Sequence, residues 1–252
     1  MNIYIEEVTF NYLFLQRGIL NILRKCLLNK NTHYFYYINA SITGRFVIKI
    51  LSIILKINFY QISFNLIDKI SIIINTTLFI SSLGIVPAHE LTHRKKDKFD
   101  MFVGNWLLSF SWDCNFAIEH VYGHHKNACL PEDPASAKRG ENIYLFILKA
   151  IINEQISGWK IESDRLRRKK LSLFGMQNRM IIGYMRSLFI TVLTFMFSGI
   201  IGMLTFLLCA LLAKSFLEAI NYVEHYGLVR ERGKPVRMRH SWNSNHFFSS
   251  IY

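Results

Sequence analysis

Prolines are few, with 4 in 252 residues, and glycines number only 13. No stretch is biased toward either, no internal repeat is visible, and no segment reads as a disordered linker. Cysteine is sparse too. Cys26, Cys114, Cys129 and Cys209 form no CxxC pair and no zinc-ribbon spacing, and nothing in them requires an oxidising compartment. Cys209 lies inside an apolar run and reads as a small buried apolar residue. Acidic residues are outnumbered, 17 Asp and Glu against 30 Lys and Arg. The opening residues, Met1 to Glu7, carry acid rather than base, so they lack the charged start of a signal peptide.

What the chain does have is apolar surface. Hydrophobic residues make up 51%, aromatic residues 14%, and the mean hydropathy is +0.21. A net charge of +13 suits either a nucleic-acid surface or the cytoplasmic loops of a membrane protein. Long uncharged runs favour the membrane, and no nucleic-acid partner is expected. The clearest run is Leu188 to Ala213, flanked by Arg186 and Lys214. Ile70 to Ala88 is a second candidate span, ending around Pro87. Phe46 to Ile57 and Val8 to Leu23 are weaker, and Met101 to Ile118 carries Asp113 and Asn115, which suits a re-entrant or buried segment. Three basic blocks lie in the connections: Arg94 to Lys98, Lys160 to Lys170 and Arg230 to Arg239. The positive-inside rule puts all three on the cytoplasmic side. The expected fold is all-α: a polytopic transmembrane helical bundle in one domain, residues 1–252.

The chemistry is carried by nine histidines, of which only His33 stands outside a cluster. His89 and His93 lie four apart in HELTH, on one face of a helix. His120, His124 and His125 lie in EHVYGHH; His120 and His124 repeat the four-residue spacing, and His125 projects about 100° further round a regular helix. His225 sits in NYVEHYG, and His240 and His246 in HSWNSNH. HELTH also satisfies the zinc-protease pattern HExxH, with Glu90 as base. The remaining imidazoles exceed what one tetrahedral zinc uses. Neutral imidazole suits iron, copper, nickel and zinc, and six or more at the edges of apolar runs imply more than one metal ion. Metal-bound imidazoles donate their second N–H to a carboxylate or carbonyl. Glu90, Glu119 and Glu224, each next to a box histidine, are candidates for that task.

These boxes resemble those of the integral-membrane alkane hydroxylases, within the wider membrane desaturase and hydroxylase superfamily. HELTHRK is similar to that family's first box, EHVYGHH to its second, followed by PEDPASA (Pro131 to Ala137), NYVEHYGL (Asn221 to Leu228) and HSWNSNH. The resemblance runs from about residue 80 to the end. It implies a non-haem pair of iron ions held by His89, His93, His120, His124, His125 and His225, with the boxes at the cytoplasmic ends of the helices. His240 and His246 are expected to support the ligands rather than bind. The implied reaction is terminal hydroxylation of medium-chain alkanes, with dioxygen and electrons from a rubredoxin-type donor. A last box of the type HSxHH is expected some tens of residues further on, and the chain stops six residues after His246. Expectation therefore divides between a fragment of a longer product and a truncated remnant. A desaturase or a xylene-type hydroxylase is the related alternative.

A shared metal site constrains the path. The 26 residues from Arg94 to Glu119 must dip and return or lie along the interface, and the 34 residues from Met180 to Ala213, whose composition equally allows one long tilted helix, are expected to form a hairpin turning near Gly199 to Gly202. Trp106 and Trp112 are candidates to line an apolar substrate channel, and Arg165 to Lys170 to dock the electron donor or anionic lipid.

Overall fold

The computed structural model describes residues 65–242, and every regular element among them is helical. The candidate spans Phe46 to Ile57 and Val8 to Leu23, together with Cys26, His33 and His246, lie outside the described residues. Helix α1 (Leu66–Phe79) passes through a π turn (Ile80–Ile85) into α2 (Val86–His93). After a short turn, α3 (Lys98–Ser109) follows. Helix α4 (Phe116–Glu119) continues through a second π turn (His120–His124) into α5 (His125–Asn127). Then come α6 (Ile143–Arg168), α7 (Arg179–His225) and a 3₁₀ turn, Met238–His240.

The long helices start where short polar side chains cap them. Asn65 accepts from the backbone of Asp68, which returns the bond to the Asn65 N–H. Asp97, Asn142 and Asn178 cap α3, α6 and α7, each side chain accepting from backbone N–H groups of the first turn. Each such cap contributes about 1 kcal/mol.

Pro87 does not end the second candidate span. A proline within a helix lacks an N–H and crowds the carbonyl four residues back. Here the turn before it is widened: the N–H of Val86 reaches the Ser81 carbonyl, five residues back. The helix therefore runs on to His93, and Leu66–His93 as a whole is long and apolar enough to cross a membrane.

The Arg94 to Glu119 stretch dips and returns. Helix α3 runs back along α2, so closely that a Cβ on Gly104 would stand 3.2 Å from that of Leu91. The turn at its far end places Trp112 at φ 56, strained for a bulky residue, and Trp112 Nε1 donates to Thr191 Oγ1 at 3.1 Å. Helix α4 then climbs back to the level of α2.

Helix α7 also meets the length and hydropathy for a membrane span, but it is two arms, not one rod. Gly199 has φ 63 and ψ −168, a conformation essentially confined to glycine. Ser187 contacts Cys114 Sγ at 3.2 Å, and Lys214 Nζ donates to Asp113 Oδ2 at 3.0 Å. A continuous helix would hold residues 187 and 214 about 40 Å apart. Two adjacent residues cannot touch both unless the chain reverses at Gly199. The uncharged run Leu188 to Ala213 is thus the tip of a hairpin with arms 179–198 and 200–225. Close packing supports it: a Cβ on Gly183 would sit 2.8 Å from that of Cys114. Helix α6 crosses both arms, through Phe146 against Tyr222, Glu154 against Lys214, Gln155 against Tyr184 and Glu162 against Arg179.

The reversal sets an expectation for stability. Gly199→Val forces a branched side chain into that conformation and is expected to cost about 1–3 kcal/mol. Thermal unfolding in detergent checks this, with an unchanged midpoint contradicting the assigned turn.

Candidate metal centre

Both folds back bring the histidine boxes to one level. His89 and His93 lie on the last turns of α2, with ring centroids 4.8 Å apart. His120 Nε2 is 2.9 Å from His89 Nε2 and 3.0 Å from His125 Nε2. His89, His93, His120 and His125 each offer a ring nitrogen, all within 4.8 Å of one another. Ligand nitrogens about 2.1 Å from one ion stand about 3.0 Å apart at a right angle and about 3.4 Å apart at the tetrahedral angle. The two short spacings are of the size that nitrogens sharing one ion occupy.

Local backbone geometry explains the grouping. On a regular helix His125 points away from His120. The second π turn changes this: the His125 N–H bonds to the His120 carbonyl, five residues back. The wider turn brings residues five apart onto nearly one face. His120 therefore meets His125 Nε2 while still stacking on His124 at a centroid distance of 5.1 Å, so the four-residue pair gains a third ring that a regular helix would turn away. His124 faces His225 as well, at a centroid distance of 4.9 Å.

His124 and His225 are each held by their Nδ1 atom. His124 Nδ1 lies 3.0 Å from Asp133 Oδ2, and Asp133 is buried and also accepts from Ser136 Oγ at 2.5 Å. His225 Nδ1 meets the His240 carbonyl at 2.9 Å, which leaves both Nε2 atoms free as ligands. This is the arrangement by which a carboxylate or carbonyl orients a metal-binding imidazole. Burial alone would lower His124, but the Asp133 carboxylate outweighs it and holds the ring above its ordinary value. Burial, then His93, pushes His125 down to about 4, so at neutral pH its ring is uncharged and its nitrogen available.

The other expected supporters divide. Glu224 Oε2 lies 3.8 Å from His225 Nε2. Glu119 is buried and accepts from Ser157 Oγ at 3.1 Å. Glu90 instead pairs with Arg94 at 3.4 Å, one turn along its own helix, which draws its carboxylate away from a role as base or histidine partner. His240 contributes its carbonyl, while its ring accepts from the Arg237 N–H at 2.9 Å. Asp133 was not singled out, although the PEDPASA motif that contains it directly follows the second box.

A narrow cavity of about 60 Å³ opens beside His89 and His120. Ile85, Val86, Phe116, Phe216, Leu217 and Ile220 give it apolar walls, and Ser81, Asn221 and Glu224 its polar points. Neither tryptophan proposed as a channel wall lines it. Trp106 packs on Phe102 and Phe189, and Trp112 is bonded to Thr191 at the far end of the dip.

Basic residues bear on the segment that carries the second box. Lys95 Nζ lies 4.3 Å over the Tyr122 ring, and the Arg179 guanidinium 5.5 Å from it. Arg179 and Arg165 share Glu162. Arg230 bonds the carbonyls of Lys126 and Ala128.

Residues 70–252 match the family model described as fatty acid desaturase. The chain belongs to the fatty acid desaturase family. Within it, the boxes keep company with hydroxylases. Alkane 1-monooxygenase 1 of Pseudomonas aeruginosa is 41% identical over 177 residues, covering 68% of this chain and 46% of its own length. Alkane 1-monooxygenase of Acinetobacter baylyi is 35% identical over 180 residues, 69% of this chain and 43% of its own. A xylene/toluene monooxygenase hydroxylase component of Pseudomonas putida is 32% identical over 168 residues, 66% and 45%. These matches bear out the likeness to alkane hydroxylases carried by the histidine boxes. The chain spans about half the length of the relatives it matches.

Asp133→Asn is expected to weaken ferrous-iron binding by about 10- to 100-fold, because His124 loses the carboxylate that orients it. Glu90→Gln should leave binding unchanged. Titration of both variants in detergent checks the pair, and proteolysis by the parent that Glu90→Gln abolishes would favour the zinc-protease reading.

Proposed function

We propose that this protein is a membrane hydroxylase of apolar chains in which histidines hold a pair of non-haem iron ions. The observation that carries the proposal is the convergence of His89, His93, His120 and His125 next to an apolar cavity. His124 and His225, with His120 between the two groups, would hold the second ion. Bound iron supplies the redox chemistry that lets dioxygen attack an unactivated C–H bond. The overall reaction joins an alkane, dioxygen, two electrons and two protons to give a primary alcohol and water. The names of the relatives support alkane as the substrate class.

The protein's own residues bind and orient. Phe116, Phe216, Leu217 and Ile220 would hold the chain end against the histidines and keep water away. A substrate arriving from the bilayer has already gained most of the roughly 0.8 kcal/mol per CH₂ of leaving water. Wall shape, more than hydrophobicity, then selects the chain. Asp133 and the His240 carbonyl fix the imidazoles of His124 and His225.

The one-domain reading, 1–252, is kept. Helices α1 and α2 would cross the bilayer once, and the two arms of α7 twice. The histidines and basic blocks would then share the cytoplasmic face of a bacterial inner membrane. There the exposed bases of the Arg165 to Lys170 block would suit an acidic rubredoxin-type donor by electrostatic steering.

The test uses membranes bearing the protein, given dioxygen, a rubredoxin-type donor with its reductase, and a medium-chain alkane. The expected product is the terminal alcohol, with one oxygen atom from ¹⁸O₂. His89→Ala and His125→Ala should abolish it together with bound iron. Phe216→Ala should shift preference toward longer chains. Formation of a double bond in an acyl chain, with no alcohol, would favour a desaturase instead.

A further inference from the structure

The metal centre and the cavity do not account for a group of charges beneath them. Lys214 lies eleven residues before His225 on the second arm of α7, about 16 Å along the helix. Its ammonium is 4% exposed and faces three carboxyl groups from three segments. It donates to Asp113 Oδ2 at 3.0 Å in the dip and to Glu154 Oε2 at 2.7 Å on α6. It lies 2.7 Å from Glu218 Oε1 on its own helix. Asp113 and Glu218 are fully buried, and Glu154 is 4% exposed.

The charge count does not close. One ammonium against three carboxylates would leave two negative charges out of water, and isolated buried charges cost several kcal/mol each. Other groups do not correct it. Glu119, on α4, adds a further acid facing Glu154, while Arg186 on the first arm is turned to Asn105 Oδ1 at 3.2 Å. Asp113 Oδ1 is buried with no hydrogen-bond partner, a costly position for a carboxylate oxygen. Burial, reinforced by Glu218, pushes Glu154 well above the usual carboxylate range.

The group is also wired to the cavity. Asn221 Nδ2 donates to Glu218 Oε2 at 3.1 Å, and Asn221 lines the same cavity as His89, His120 and Glu224. Helix geometry makes that link: Lys214, Glu218 and Asn221 follow one another at four and three residues, along one face of the arm.

We propose that Asp113, Glu154, Lys214 and Glu218 form a buried proton store for the histidine-lined cavity, with Asn221, which donates to Glu218 and lines that cavity, orienting the Glu218 carboxyl toward it. This rests on the hydroxylase reading for its purpose, since that reaction consumes two protons as one oxygen atom of dioxygen leaves as water, with electrons from the rubredoxin-type donor. Each proton given up is replaced from solvent, and the cluster ends the cycle unchanged. Asn221 acts at a distance from the reacting atoms, as a positioning residue.

Infrared spectroscopy of the metal-free protein in detergent tests the store without any turnover. At neutral pH the parent should show a protonated carboxyl C=O band that shifts in D₂O. Glu154→Gln or Glu218→Gln should remove or move it, and Asn221→Leu should leave it in place. No such band, or one indifferent to both glutamines, overturns the store. In the iron-loaded protein, Asn221→Leu should cut turnover by about a hundredfold. The solvent deuterium isotope effect should rise, and Asn221→Asp should restore much of the rate. Parent-like turnover and isotope effect in Asn221→Leu overturn this role of Asn221. A parent that binds no iron and hydroxylates nothing overturns the hydroxylase reading, and with it delivery, while the infrared result still decides the store.

Discussion

Imidazoles from separate helices can meet one pair of ions only if every connection between them returns to the side it left. That constraint shapes the whole described region. Between the first and second boxes the chain goes down as α3 and back as α4, turning at Trp112. Between the second box and His225 it goes down and back again, turning at Gly199. Each reversal is enforced by local means, a strained tryptophan tied to Thr191 in one case and a glycine-only conformation in the other. The two turns depend on each other, because Thr191, Ser187 and Gly183 of the hairpin are what the first dip packs against.

Convergence of ring nitrogens has a cost as well as a purpose. Four imidazoles crowded within 4.8 Å repel if protonated, and burial alone favours their neutral forms. The same neutrality is what a metal ligand needs. His124 is the exception, held ready to carry charge by Asp133, and it stands between the four-histidine cluster and His225. The site thus joins a rigid, uncharged set of donors to a second set steered by a carboxylate and a backbone carbonyl.

Much of this was legible in the sequence. The all-helical class followed from hydropathy, and the dip and the hairpin near Gly199 from box order and the demand for one site. What escaped had a physical reason in each case. A regular 3.6-residue period cannot anticipate a π turn, so the partnership of His120 with His125 was invisible, as was the passage of the helix through Pro87. Asp133 reaches His124 from a loop, where no periodicity signals which way a side chain turns. Glu90 looked like a histidine partner because it is next in sequence, but neighbours along a helix point about 100° apart, and Arg94 sits where Glu90 does point. The tryptophans drew attention as large apolar groups, while the cavity is walled by phenylalanine and branched residues from the first π turn, α2, α4 and the second arm of α7.

X-ray absorption at the iron edge of the purified protein tests the central claim most directly. An iron shell dominated by nitrogen, with the outer scattering of several imidazole rings and no sulfur, is the predicted result. A shell of oxygen or sulfur ligands, or a protein that takes up only tetrahedral zinc, would contradict it.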